Sequence, residues 1–268
     1  MDIGTGLAIF GSAELAVKVL GPTAEYLGKG IQSFTEKRVA NINSILKKAA
    51  TRIDKSKSDN SGSVDPLMVK DIVDYGSYIE DDLIQDYLAG LLICSKTTSD
   101  EDNSHISYAK ALENMSRYQV RLHYLLYSVF RKLYLNLDIN IGLEENRKKL
   151  QTFVGFPLVI SALFGNATSK IANFPGIIQD TITGMIRLSL IGDHFSFGSI
   201  EEINRWCSTT KTTMPGIVYQ PSVFGIKLFL SVSSIKGNAN QILNDKSEIP
   251  DLVQYDIIPE IVFPFPYE

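Results

Sequence analysis

The sequence predicts a mainly α protein, with a multi-helix N-terminal region followed by a smaller α+β, winged-helix-like C-terminal domain. Apolar residues recur at three- and four-residue steps from about Pro22 to Leu135, the spacing of one helix face. Glycine, proline and small polar residues interrupt that pattern at intervals that suit helix ends. From Leu150 the texture changes to short apolar, β-branched runs, which suits strands. The expected layout is a helical hairpin over 1–54, a helical domain over 64–149, the winged-helix-like domain over 150–240 and an acidic extended tail over 241–268.

Residues 1–20 read as a helix of small residues carrying only Asp2, Glu14 and Lys18 as charges, and Gly21-Pro22 punctuates it. A long amphipathic helix follows to about Ile53, with Pro22 in its first turn and Leu27, Ile31, Phe34, Val39, Ile42, Ile45 and Leu46 on one face. KSKSDNSGS, residues 55–63, is polar and rich in turn formers and reads as a linker. Pro66 starts a short helix that Gly76 stops. Ser77 and Glu80 form a capping-box pattern, which predicts a helix from about Ile79 to Cys94. Residues 97–104 are a loop. Helices follow at about 105–114 and 118–135, the second lined by Tyr118, Tyr124, Tyr127, Phe130 and Tyr134, aromatic residues spaced as core residues are.

Beyond the apolar LQTFVGFPLVISALF, residues 175–191 read as a helix, GDHFSFGS as a turn with short strand flanks, and 219–234 as a strand. A helix followed by a two-strand feature is the winged-helix expectation. As a reader of DNA it is poorly equipped, since the helix carries only Asp180 and Arg187 as charges beside Thr181 and Thr183. The module is therefore expected to pack against protein.

Composition narrows the function classes. At 268 residues and 44% hydrophobic the chain can bury substantial cores. A formal charge of -4 argues against a surface made to coat nucleic acid. Cys94 and Cys207 lack any paired spacing, which fits a reducing cytoplasm and leads to no expectation of a metal or cofactor. No basic region precedes the first apolar residues, so a secretory signal is not expected, and no uncharged apolar run reaches the roughly 20 residues of a spanning helix. Small residues in the first helix would suit close helix contact or a peripheral place on the inner membrane, with burial against the second helix the commoner outcome.

Charge is segregated along the chain. Residues 29–57 hold eight Lys/Arg against two acids, and residues 59–113 hold three against twelve. Such blocks usually pack against each other. The alternative is a strip of Lys47, Lys48, Arg52, Lys55 and Lys57 that receives nucleic-acid or lipid phosphates.

No phosphate-binding loop, dinucleotide fingerprint, nucleophile elbow or zinc spacing is present. One pair could support chemistry. Arg117 and His123 form an Arg-x5-His pattern similar to the Arg-x4-6-His motif of the HEPN ribonucleases, in which a guanidinium would hold phosphate while imidazole moves a proton. Tyr118 departs from that motif, and six helical positions place the two side chains about 120° apart.

The succession LGPTAEYLGKG, VDPLMVKDIVDYGSYIEDDLIQDYLAGLLICS, SRYQVRLHYLLY and MIRLSLI...PSVFGIKLF resembles the bacterial abortive-infection alpha family over roughly residues 15–235. The resemblance implies a cytoplasmic protein of phage defence that acts through interaction or membrane perturbation, and it supplies no catalytic residues. The favoured expectation is a non-enzymatic interaction or effector protein with a protein partner or a second copy of itself, a membrane surface being the next choice and nucleic acid the last. A HEPN-like ribonuclease toxin and a winged-helix nucleic-acid-binding regulator are the alternatives.

Overall fold

The computed structural model describes residues 29–55, 64–96, 104–165, 174–206, 210–244, 252–255 and 258–265. The expected first helix, the start of the second and linker residues 56–63 lie outside these. The protein is mainly helical with a small four-stranded antiparallel sheet in its C-terminal part. It divides into two compact units, one within residues 1–114 together with 231–236, the other within 115–230 together with 237–268. The boundary expected near residue 150 lies instead after Asn114.

The helical unit contains α1 (Lys29–Lys55), α2 (Pro66–Asp74), α3 (Asp82–Cys94) and α4 (Ser104–Glu113). Ile42, Ile45, Leu46 and Ala49 of α1 are buried at the predicted spacing, as are Tyr87, Leu88, Leu91 and Leu92 of α3. Asp65 caps α2 through Oδ1, with Pro66 in the first turn, and its Oδ2 lies 2.7 Å from Nε2 of the buried His105. The capping box expected at Ser77 and Glu80 does not form. Gly76–Tyr78 makes a 3-10 turn, Asp81 accepts from the Leu83 and Ile84 amides instead, and α3 starts at Asp82. Ser77 is buried and its hydroxyl accepts from Arg38 Nε at 3.0 Å, while Glu80 pairs with Lys37.

The second unit is built on α5 (Arg117–Tyr134), which Ser116 and Gln119 open with a capping box. After α6 (Glu144–Lys148) come β1 (Thr152–Gly155), α7 (Phe156–Phe164), α8 (Phe174–Arg187), β2 (Ile191–Gly198), α9 (Ile200–Asn204), β3 (Gly216–Pro221), α10 (Val223–Val232, counted here to Leu230) and β4 (Val262–Pro264). The strand order is β2-β3-β1-β4. Phe153 of β1 pairs with Val218 of β3 and with Phe263 of β4, so part of the expected extended tail is an edge strand. Residues 191–198 form one strand rather than a turn, because an irregularity between Ile191 and Phe195 absorbs Gly192, Asp193 and His194.

The strand expected over 219–234 ends at Pro221. Ser222 Oγ accepts from Gly225 N at 2.9 Å, capping a helix whose residues Ile226, Leu228, Phe229 and Leu230 are all buried. Burial on every side removes the periodicity that separates helix from strand.

Three buried tyrosine hydroxyls join α5 to the rest of this unit. Tyr127 donates to Leu190 O at 2.7 Å and accepts from Ser222 N at 3.1 Å, Tyr134 donates to Gln151 O at 2.8 Å, and Tyr219 of β3 donates to Leu126 O at 2.5 Å. These bonds explain why α5 belongs with the sheet and not with the helices before it. Gly225 is required at the first of these junctions, since a Cβ there would lie 2.2 Å from the Tyr127 hydroxyl and 2.3 Å from Leu190 O. Gly225→Ala is expected to lower stability by about 3 kcal/mol in urea unfolding, the upper range for overpacking.

Candidate functional site

Two residues of the expected phosphate strip, Lys48 and Arg52, are engaged within the helical unit. Arg52 donates to Asp86 Oδ1 at 2.5 Å, to Asp86 O at 3.0 Å and to Val232 O at 2.7 Å, all within the helical unit. Lys48 reaches Asp86 at 2.8 Å and Asp82 at 2.9 Å. Partial burial works against the Lys48 charge, but its hydrogen bonds to Asp86 and Asp82 outweigh that and hold its ammonium above the ordinary lysine range. The side chains of Arg52 and Asp86 are only 14% and 11% exposed, so this pair is a tie between α1 and α3 rather than a landing surface. Lys47 is exposed, and the side chain of Lys55 and the whole of Lys57 lie outside the described residues.

Arg117 and His123 are likewise not brought together. Arg117 is exposed at the first position of α5, where its guanidinium lies over the Tyr118 ring at 4.8 Å and donates to the Tyr118 hydroxyl. His123 is 0% exposed, with its ring 4.8 Å from that of Tyr127 and Nε2–H donating to Gly225 O at 3.0 Å. Burial lowers the imidazole to about 3, the bond to Gly225 opposing it only in part. A neutral, enclosed imidazole and an exposed guanidinium lack the geometry for shared work on a phosphodiester.

A surface pocket that the sequence did not indicate lies in the second unit. It has a volume of about 400 Å³ and is lined by Phe156, Phe174, Pro175, Ile178, Gln179, Phe197, Gly198, Ser199 and Pro215. α7 begins with Phe156, whose amide donates to Pro215 O at 3.0 Å. α8 carries Phe174 and Ile178 one turn apart, with Pro175 and Gln179 alongside at the same spacing. Phe197 stands near the end of β2 opposite Ile217, and Gly198, with φ 137°, turns the chain toward α9. Ser199 then caps α9, its Oγ accepting from Glu202 N while Glu202 returns a bond to the Ser199 amide.

Among the described residues no ionisable side chain lines the pocket, and none of them offers a general acid or base there. Phe174, a large aromatic residue, remains 37% exposed at its mouth. Concave apolar sites with one or two polar groups are where proteins hold uncharged ligands, and the volume falls toward the lower end of the usual range of roughly 300–1,000 Å³. Four separate stretches of chain supply its walls, so no local motif marks it in the sequence.

No helix among the described residues is long and apolar enough to cross a membrane. Comparison of the chain with protein-family models, curated proteins and solved structures finds no match in any of the three.

Two measurements check these assignments. Arg52→Leu leaves Asp86 in a largely buried place with one partner fewer and is expected to cost about 3 kcal/mol in urea unfolding, whereas Lys47→Leu should change stability by less than about 0.5 kcal/mol. For His123, the unfolded chain takes up a proton below about pH 6.5 and the folded one only near 3, so stability falls as pH drops through that window and is unaffected above it. Its contribution is about 1.4 kcal/mol per pH unit, and His123→Gln should flatten the decline of the unfolding free energy, measured in urea between pH 6 and 4, by that amount.

Proposed function

We propose that this chain is a non-enzymatic interaction protein whose working site is the apolar pocket bounded by α7, α8 and β2. One observation carries the reading: the described residues that line a 400 Å³ surface cavity include no charged group, and an aromatic residue is exposed at its mouth. Such a lining favours an uncharged apolar group over a phosphate, a carboxylate or an ammonium, because a charge entering it would lose hydration without gaining a counter-charge. The resemblance to the abortive-infection alpha family adds phage defence as the setting, with a protein partner as the contact.

The neutral fluorescent probe N-phenyl-1-naphthylamine tests this. It is expected to bind in a saturable, one-to-one manner, and Phe174→Ala should weaken it about tenfold, or about 1.4 kcal/mol. Phe174 suits the test because it lines the pocket and is 37% exposed, so its loss disturbs no buried core. Probe fluorescence that rises without saturating, or an affinity unchanged in Phe174→Ala, would remove the pocket as a binding site.

A further inference from the structure

We infer that the pocket accepts the aromatic side chain of a tryptophan or tyrosine presented by a partner protein; this deepens, and rests on, the binding role proposed above. Phe156, Phe174 and Phe197 offer ring faces and edges, and Pro175 and Pro215 add flat apolar surfaces. An aliphatic side chain entering there would gain only buried area. A ring gains in addition the offset and edge-to-face arrangements that aromatic groups make with one another. Lysine, arginine, aspartate and glutamate are disfavoured because no described lining side chain can balance their charge.

The two polar lining side chains differ in what they have left to give. Ser199 is committed to α9: its Oγ accepts from Glu202 N, and its hydroxyl is hydrogen-bonded to Glu201, holding that carboxyl below the usual carboxylate range. Gln179 supplies the remaining polar group, an amide whose oxygen can accept from an indole N–H or a phenol O–H. A ring with one polar edge suits this arrangement better than a plain phenyl, which has no donor to offer that amide. Phe174, Gln179 and Ser199 are exposed, so the mouth opens to solvent. An occupant can therefore insert its ring while the backbone that carries it stays outside.

Titrations of the full chain, followed by nuclear magnetic resonance, would use N-acetyl-tryptophanamide, N-acetyl-tyrosinamide, N-acetyl-phenylalaninamide, N-acetyl-leucinamide and free indole as probes. The tryptophan and tyrosine amides are expected to bind about fivefold tighter than the phenylalanine and leucine amides, with shifts centred on Phe174, Ile178 and Phe197. Gln179→Leu should abolish that advantage and leave the phenylalanine amide unchanged. Equal affinity for the leucine and tryptophan amides, or a ranking that survives Gln179→Leu, would overturn the aromatic assignment while leaving the binding role intact if the naphthylamine probe still binds. Binding of free indole with exclusion of N-acetyl-tryptophanamide would overturn the partner-protein assignment in favour of a free small molecule. Failure of every probe, including the naphthylamine, would overturn both.

Discussion

The buried hydroxyl of Tyr127 determines where much of the second unit can stand. It donates to Leu190 O, in the short link between α8 and β2, and accepts from Ser222 N, where β3 gives way to α10. Both backbone groups are distant in sequence from Tyr127 and from each other, yet one oxygen atom satisfies them. The environment holds the phenol in its neutral form, since burial pushes it up to about 12. α8 and β2 supply most of the pocket's lining, and Leu190 lies between them. The position of the pocket is thus set by an aromatic helix whose own residues do not line it.

The charged residues follow a different logic. The alternation of basic and acidic blocks corresponds to real pairing, with Lys48 and Arg52 of α1 meeting Asp82 and Asp86 of α3. Arg52 also ties Val232 O to Asp86, so its fork of donors serves the backbone of one segment and the carboxylate of another. Lys48 and Arg52, two of the cations that looked available for phosphate, are engaged in holding helices together.

Legibility in the sequence depended on how local the determining interaction was. α2, α4 and α5 begin and end within a residue or two of expectation, because their caps and apolar stripes are written in consecutive residues. The boundary of α3 moved because two acceptors, Ser77 and Asp81, lie close enough to compete, and Arg38 engages Ser77 from another helix. α10 reads as the continuation of a strand because Ile226, Leu228, Phe229 and Leu230 are all buried and leave no helical period to separate it from β3. His123 illustrates the same limit for chemistry: its spacing from Arg117 was visible, but the depth to which α5 buries it was not. The pocket was least legible of all, since Phe156, Phe174, Phe197 and Pro215 become neighbours only through tertiary structure.

The sheet order has a consequence for how the molecule is made. β1 lies between β3 and β4, two strands that follow it far along the chain, so during synthesis Phe153 and Val154 must wait for both partners. The helical unit relies mostly on nearer contacts and can consolidate early, whereas closure of the sheet is a late, long-range event. Until then Phe153 and Val154, both fully buried in the finished sheet, stand as uncovered apolar surface.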